Sequence, residues 1–207
     1  MAAGVEIQRL GYSGCMTILD KQSHEQPDEQ LMLKFASGDS RAFETLYARH
    51  KGPLYRYILR QVKRHPATAE EIFQEVWSSV IDSRKRYTPS ARFTTFLYTL
   101  AHNRTMDHFR RNAVRLVDPV DCDTDSLEGN TVDPARQVSA EDCVELLQAL
   151  VQTLPNDQRQ VFVLRQEGQH LMEEIAEIMA STLEATKSRL RYAVKKLRIQ
   201  LEEEDCL

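Results

Sequence analysis

Apolar residues recur every three or four positions along most of the chain, and the period breaks at glycine, proline or runs of small polar residues. Leu31, Met32, Leu33 and Phe35 predict a short helix over 28–37, ended by Gly38-Asp39. Ser40 is placed to cap the next helix, whose apolar positions are Phe43, Leu46, Tyr47, Leu54, Tyr57, Ile58 and Val62, with a bend or restart at Pro53. His65 to Thr68 connects. Thr68 with Glu71 three residues on reads as a capping box for a helix over 69–82 that buries Ile72, Val76, Val80 and Trp77. After the loop Tyr87-Thr88-Pro89-Ser90, a long amphipathic helix over 92–112 is expected.

No period survives from Leu116 to Val138, where proline, glycine and aspartate accumulate. It resumes on Val144, Leu147, Leu150 and Val151, breaks at Leu154-Pro155-Asn156, and continues over 157–166. The last forty residues carry two short helical patterns about a tight turn. Leu171, Ile175, Ile178 and Met179 precede Ala180-Ser181-Thr182, and Leu183, Leu190, Ala193, Val194 and Leu197 follow. That is the outline of a helix-turn-helix whose second helix suits a DNA major groove. Nothing reads as a strand. The expected fold is all-α: two small helical domains, 26–115 and 139–203, joined by a flexible acidic linker over 116–138 and preceded by a flexible tail over 1–25.

Composition narrows the class. The chain has 207 residues, 42% hydrophobic and 28% charged, which describes a globular protein, and its seven glycines and seven prolines suit helices. No apolar run approaches the ~20 residues of a membrane span. The first twenty residues lack a basic start before an apolar core, so a cytoplasmic protein without membrane insertion is expected. Cys15, Cys122, Cys143 and Cys206 are widely scattered, and four reduced thiols without a shared role are expected, with Cys15 or Cys206 as alternative sensor positions.

The net charge of −4 conceals blocks of opposite sign. Between Arg84 and Arg115 lie Arg84, Lys85, Arg86, Arg92, Arg104, Arg110, Arg111 and Arg115 against Asp107 alone. Tyr87, Phe93, Phe96, Tyr98 and Phe109 are interleaved, the mixture that holds a strand's phosphates and stacks its bases. Residues 116–145 are strongly acidic, with Arg136 their one base. From Leu183 to Arg198, Lys187, Arg189, Arg191, Lys195, Lys196 and Arg198 face Glu184 alone, a charge pattern suited to phosphate contacts. There is no glycine-rich phosphate loop, nucleophile motif or metal-ligand cluster, and His50, His65, His102, His108 and His170 fit no triad or metal spacing. Neither an enzyme nor a cofactor or metal site is expected.

The order of motifs resembles one family. DEQLMLKFASGDSRAFETLYARHKGPLYRYILR is followed by AEEIFQEVWSSVIDSRKRY and ARFTTFLYTLAHNRTMDHFRR, then, after the linker, by ALVQTLPNDQRQVFVLRQEG and EEIAEIMASTLEATKSRLRYAVKKLR. These blocks are similar to extracytoplasmic-function sigma factors of the sigma-70 family. The resemblance implies a non-enzymatic specificity subunit of bacterial RNA polymerase. Region two would bind core polymerase and melt the promoter −10 element. Region four would read the −35 element as duplex, region three would be missing, and an anti-sigma factor would hold both domains inactive.

On that resemblance, Glu70, Glu71, Phe73, Gln74, Glu75 and Trp77 would dock on the coiled coil of the β′ clamp, while the second domain meets the β flap. Arg92, Phe93, Thr95, His102, Asn103, Arg110 and Arg111 would hold the melted −10 strand. Glu184, Thr186, Lys187, Ser188 and Arg191 would face −35 base edges, and Arg189, Tyr192 and Lys195 the phosphates. The chain departs from the family pattern at Phe96, where tryptophan is usual, at Ala180 and Glu184, where glycine is common, and at Leu171, in place of a polar cap. His170 reads as a surface histidine. A conventional helix-turn-helix regulator with an N-terminal sensor domain is the alternative, although residues 28–115 offer no ligand pocket or phosphoacceptor.

Overall fold

Pro66 at the first position of its helix, an aspartate cap and left-handed residues at three turns, Gly38, Lys63–Arg64 and Ala180, mark helix boundaries. The computed structural model describes residues 26–115, 140–168, 170–204 and 206. Its helices are α1 (Asp28–Ala36), α2 (Ser40–Gln61), α3 (Pro66–Ser83), α4 (Phe93–Arg115), α5 (Ala140–Gln152), α6 (Asn156–Glu167), α7 (Met172–Ile178) and α8 (Leu183–Glu203), with a 3-10 turn at Arg84–Arg86. No strand occurs among the described residues. The predicted tail over 1–25 and the acidic linker over 116–138 lie outside them.

Local chemistry corrects several expected boundaries. Asp39, not Ser40, caps α2, its carboxylate accepting from the N–H of Arg41 and Ala42. Pro53 interrupts nothing: α2 runs through it, and the cost is the missing N–H that would have met the Arg49 carbonyl. The Thr68 capping box does not form, because α3 begins earlier, at Pro66. Proline's fixed φ suits that first position, and Thr68 Oγ1 lies 3.2 Å from His65 Nδ1 instead.

The N-terminal half is a four-helix cluster in which α2 packs on α1, α3 and α4, and α3 on α4. Its buried positions follow helical spacing: Ile72, Val76 and Val80 on α3, and Phe93, Leu97 and Ala101 on α4. Trp77 lies inside an aromatic cluster with Phe43 at 5.7 Å, Tyr47 at 5.0 Å and Phe73 at 6.3 Å between centroids. In the C-terminal half, α8 packs against α5, α6 and α7. Leu154, Val161, Leu164, Ile175, Ile178, Ala193 and Leu197 are buried there. Ala180 takes φ 47° in the turn before α8, so a side chain occupies the left-handed conformation that glycine adopts freely. Gly168 has no such latitude: a Cβ there would lie 2.2 Å from the His170 ring.

Two cysteines are paired, against the expectation of four separate thiols. Cys143 on α5 and Cys206 beyond α8 form a disulfide with Cα atoms 5.6 Å apart across 63 residues. Sequence separation hid the pair, because α5 and the end of α8 become neighbours only after folding. A loop of this length is worth about 4 kcal/mol on the chain-entropy account.

The two halves meet directly, α2 on α6 and α4 on α7. Glu167, at the end of α6, receives Arg56 at 3.1 Å and Arg60 from α2. Arg159 of α6 is buried in this seam. It donates to the Gln61 carbonyl at 3.3 Å and to Asn156 Oδ1 at 2.9 Å, its Nε has no partner, and burial lowers its pKa. Arg92, before α4, reaches Glu174 of α7 at 3.4 Å.

His170 is buried against the Tyr98 ring at 4.7 Å, which corrects its expected surface position. Burial holds His170 below the usual histidine range, as does the positive charge of Arg92, while Glu174 pulls the other way. Burial also lowers His102 of α4, aided by Arg110 and opposed by Asp157 of α6. Both imidazoles therefore take up protons more readily when exposed than in the closed seam. The stabilisation they give the closed form is complete above their ordinary pKa of 6.5 and is lost as pH falls below it. Small-angle scattering should show the radius of gyration rising between about pH 7.5 and pH 5.5. An unchanged radius would place both titrations elsewhere.

Candidate nucleic-acid and polymerase interfaces

The turn Ala180–Thr182 aims α8 outward. Thr182 caps the helix, its hydroxyl accepting from Ala185 N–H at 3.2 Å. Thr186 is fully buried: its Oγ1 donates to the Thr182 carbonyl at 3.0 Å and lies 2.7 Å from Ser181 Oγ. This corrects its expected place among the base contacts, since it holds the turn from inside. Glu184, Lys187, Arg191 and Lys195 form an exposed row at helical spacing, with Ser188 half-buried beside it. Tyr192 is exposed on the same helix. Arg189 turns inward to Asp157 at the start of α6, 2.9 Å away, so it fixes α6 against α8. Lys187 stands 3.9 Å from Glu184, leaving the carboxylate partly neutralised within the row.

Leu171 occupies the position before α7 but has no acceptor, so only half of a capping box exists: Glu174 accepts the Leu171 N–H at 2.8 Å. The same carboxylate faces His170 at 3.6 Å and Arg92 at 3.4 Å. One acidic side chain thus closes its own helix and ties it to the other half.

Glu70, Glu71 and Gln74 are exposed on α3, with Glu75 half-buried. Trp77 is 5% exposed and offers no anchor to a partner, because the aromatic cluster of α2 and α3 consumes its surface. Phe73 is half-buried at the edge of that cluster. Between α3 and α4 runs a groove of about 710 Å³. Glu71, Gln74 and Glu75 line one wall, and Arg104, Arg110 and Arg111 the other. Arg111 reaches Glu75 at 3.6 Å, and Arg104 donates to Ser79 Oγ at 2.9 Å.

The residues expected on the −10 strand divide three ways. Arg110 and Arg111 share the α3–α4 groove with the acidic residues expected at polymerase, so two predicted surfaces adjoin. Phe93 and Thr95 are buried, a correction that follows from α4 using its first turn to pack on α2 and on Tyr87. Arg92 is two-thirds exposed and Asn103 is exposed, while His102 lies half-buried at the seam. Sequence reasoning missed Glu29, Arg159, Glu167 and Glu174. Each acts across helices far apart in sequence, and only Glu174, three residues after Leu171 at the start of α7, has a local signal, that of a helix-capping acid. Among the described residues no cluster of His, Cys, Asp or Glu could hold a metal, and no helix is long and apolar enough to cross a membrane.

An all-helical chain whose second half presents a capped helix with an exposed basic row after a tight turn is a helix-turn-helix DNA-binding protein. Residues 46–115 match the family model of Sigma-70 region 2, and residues 150–198 that of Sigma-70, region 4. The RNA polymerase sigma factor CarQ of Myxococcus xanthus is 33% identical over 81% of this chain and 93% of its own length. The ECF RNA polymerase sigma factor SigK of Mycobacterium bovis is 29% identical over 82% of this chain and 91% of its own. Among solved structures, CnrH in complex with the cytosolic domain of CnrY aligns with TM-score 0.63 at 21% identity, covering 86% of this chain and 99% of that one. The sigma factor RpoE of Bartonella quintana, in complex with the anti-sigma factor NepR, aligns with TM-score 0.63 at 18% identity over 77% and 96%. These two likenesses concern the fold. The chain belongs to the sigma-70 family of RNA polymerase sigma factors, in its extracytoplasmic-function group.

Proposed function

We propose that this sigma factor divides promoter recognition between two surfaces and keeps them together in the closed form described above. The exposed face of α3, with Glu70, Glu71, Gln74 and Glu75, docks on the β′ clamp of core polymerase. The segment before α4, with Arg92, and the exposed positions Asn103, Arg110 and Arg111 hold the melted −10 strand. The row Glu184, Lys187, Arg191 and Lys195 enters the major groove at the −35 element, where Lys187 or Arg191 suits guanine N7 and O6. The observation that carries the reading is this row. Among the described residues it makes no ion pair apart from the weak Lys187–Glu184 pair, and it follows immediately on a capped turn.

Elements numbered 25 base pairs apart stand about 85 Å apart along B-DNA, at about 3.4 Å per step. The Arg92–Glu174 contact and the α2–α6 seam therefore part when both elements are engaged. The complexes of CnrH with CnrY and of RpoE with NepR support an anti-sigma factor as the partner of the closed form. The protein works in the cytoplasm and carries no catalytic group or cofactor of its own.

Run-off transcription with purified bacterial core polymerase and a genomic fragment library tests the reading. New start sites that require this chain are expected, and their upstream sequences give both promoter elements. Absence of any such start from core alone, with changed output only from pre-existing holoenzyme, would favour a conventional helix-turn-helix regulator.

A further inference from the structure

Two neighbouring carboxylates on α1 serve different helices. Asp28 turns to α2: its Oδ1 accepts from Arg49 Nη1 at 2.6 Å, and its Oδ2 lies 2.6 Å from His50 Nε2. Glu29 turns to α4: its Oε1 accepts the backbone N–H of Phe93, the first residue of that helix, at 2.7 Å. The first N–H groups of a helix have no partner within it, and a carboxylate there also complements the helix dipole. Arg92, the residue that precedes α4, carries five donors and no side-chain acceptor, so it cannot cap in the usual way. The cap comes instead from 64 residues upstream.

The same carboxylate acts on the far end of the segment before α4. Tyr87 is buried, its ring packed at 6.4 Å from Phe93 and 5.2 Å from Phe96, its hydroxyl without a partner. Burial and the charges of Glu29 and Asp28 push the Tyr87 phenol up to about 12, so it stays neutral beside them. His50, anchored by Asp28, stacks at 5.4 Å on Phe93. The exposed residues Thr88, Pro89, Ser90 and Arg92 are thereby strung between two fixed points, Tyr87 and Phe93, and Glu29 holds the second of them.

We propose that Glu29 is a positioning residue for promoter melting: by capping α4 from α1 it fixes the segment 88–92, and with it the direction in which Arg92 meets the melted −10 strand. The proposal rests on the assignment of that segment to the −10 strand made above. Glu29 itself need not touch DNA. Its work is to keep the segment in one geometry before the strand arrives, so that ordering it is not charged to binding.

The test measures binding of the holoenzyme, formed with the full chain, to a single-stranded oligonucleotide carrying the −10 sequence found by run-off transcription. Affinity for core and for −35 duplex is measured beside it. Glu29→Ala should weaken single-strand binding about two- to thirty-fold, the range expected for loss of a helix cap, with both other affinities unchanged. Amide exchange at Phe93 should accelerate. Glu29→Gln keeps an acceptor oxygen at the same reach and should restore most of the binding and the protection. Glu29→Asp keeps the charge but falls one methylene short, and should behave like Glu29→Ala; it serves if the alanine variant folds poorly.

Full single-strand binding by Glu29→Ala or Glu29→Asp, or an equal loss of all three affinities, would overturn the proposal. An Arg92→Ala/Asn103→Ala variant separates its failure from that of the underlying reading. Loss of binding there with none in the Glu29 variants sinks Glu29 alone. Retained binding there removes the −10 assignment and the proposal together.

Discussion

Replacing Lys187 and Arg191 together by alanine is expected to abolish initiation that depends on the −35 element while leaving affinity for core polymerase intact. Both side chains stand in the exposed row of α8, and among the described residues Lys187 makes only the 3.9 Å approach to Glu184. Each well-placed contact to a guanine edge discriminates by about 1–3 kcal/mol, so the pair costs roughly thirty-fold to twenty-thousand-fold in duplex affinity. If one of them meets phosphate instead, its share appears as a salt dependence flatter by about one unit of log–log slope. Electrophoretic titration of −35 duplex at several salt concentrations distinguishes these. Loss of core affinity in the same variant would sink the division of labour between the two halves.

Charge reversal on α3 should produce the complementary defect. Glu71→Lys with Glu75→Lys is expected to weaken core binding about ten- to a hundred-fold and to spare −35 duplex affinity, because close charge pairs across an interface couple by about 1.5–7 kcal/mol. Glu71 is exposed and Glu75 half-buried, so the change should leave the thermal transition near its original midpoint. Glu75 also faces Arg111 at 3.6 Å across the groove. Glu75→Gln alone therefore reports how much of the defect comes from disturbing α4. Unchanged core affinity in the double variant would remove both carboxylates from the interface.

The helices were legible because each buries one stripe against a shared core, and that requirement writes the 3.6-residue period into the sequence. Ile72, Val76 and Val80 on α3 illustrate it. Legibility failed where one residue type serves two purposes. An aromatic on an acidic helix can anchor a partner or fill a core, and Trp77 fills the core. Threonine at the start of a recognition helix can face a base or brace the turn, and Thr186 braces it. Arginine on a basic helix can hold phosphate or a carboxylate of its own chain, and Arg189 holds Asp157. The family resemblance gave the order of the two sigma regions. It gave nothing on the seam or the Cys143–Cys206 bond, which depend on contacts between residues far apart in sequence.

Arg159 makes the closed form cost something to keep. Its guanidinium sits in the α2–α6 seam among carbonyl and amide oxygens, and among the described residues it bonds no carboxylate, so closure strips water from a charge without giving it a counter-charge. Separation of the halves returns that hydration. If the halves part on the promoter as proposed, any partner that recognises one form alone shifts the equilibrium by its differential affinity. An inhibitor and a polymerase need not compete for the same atoms to exclude one another; drawing on the same two-state reserve is enough.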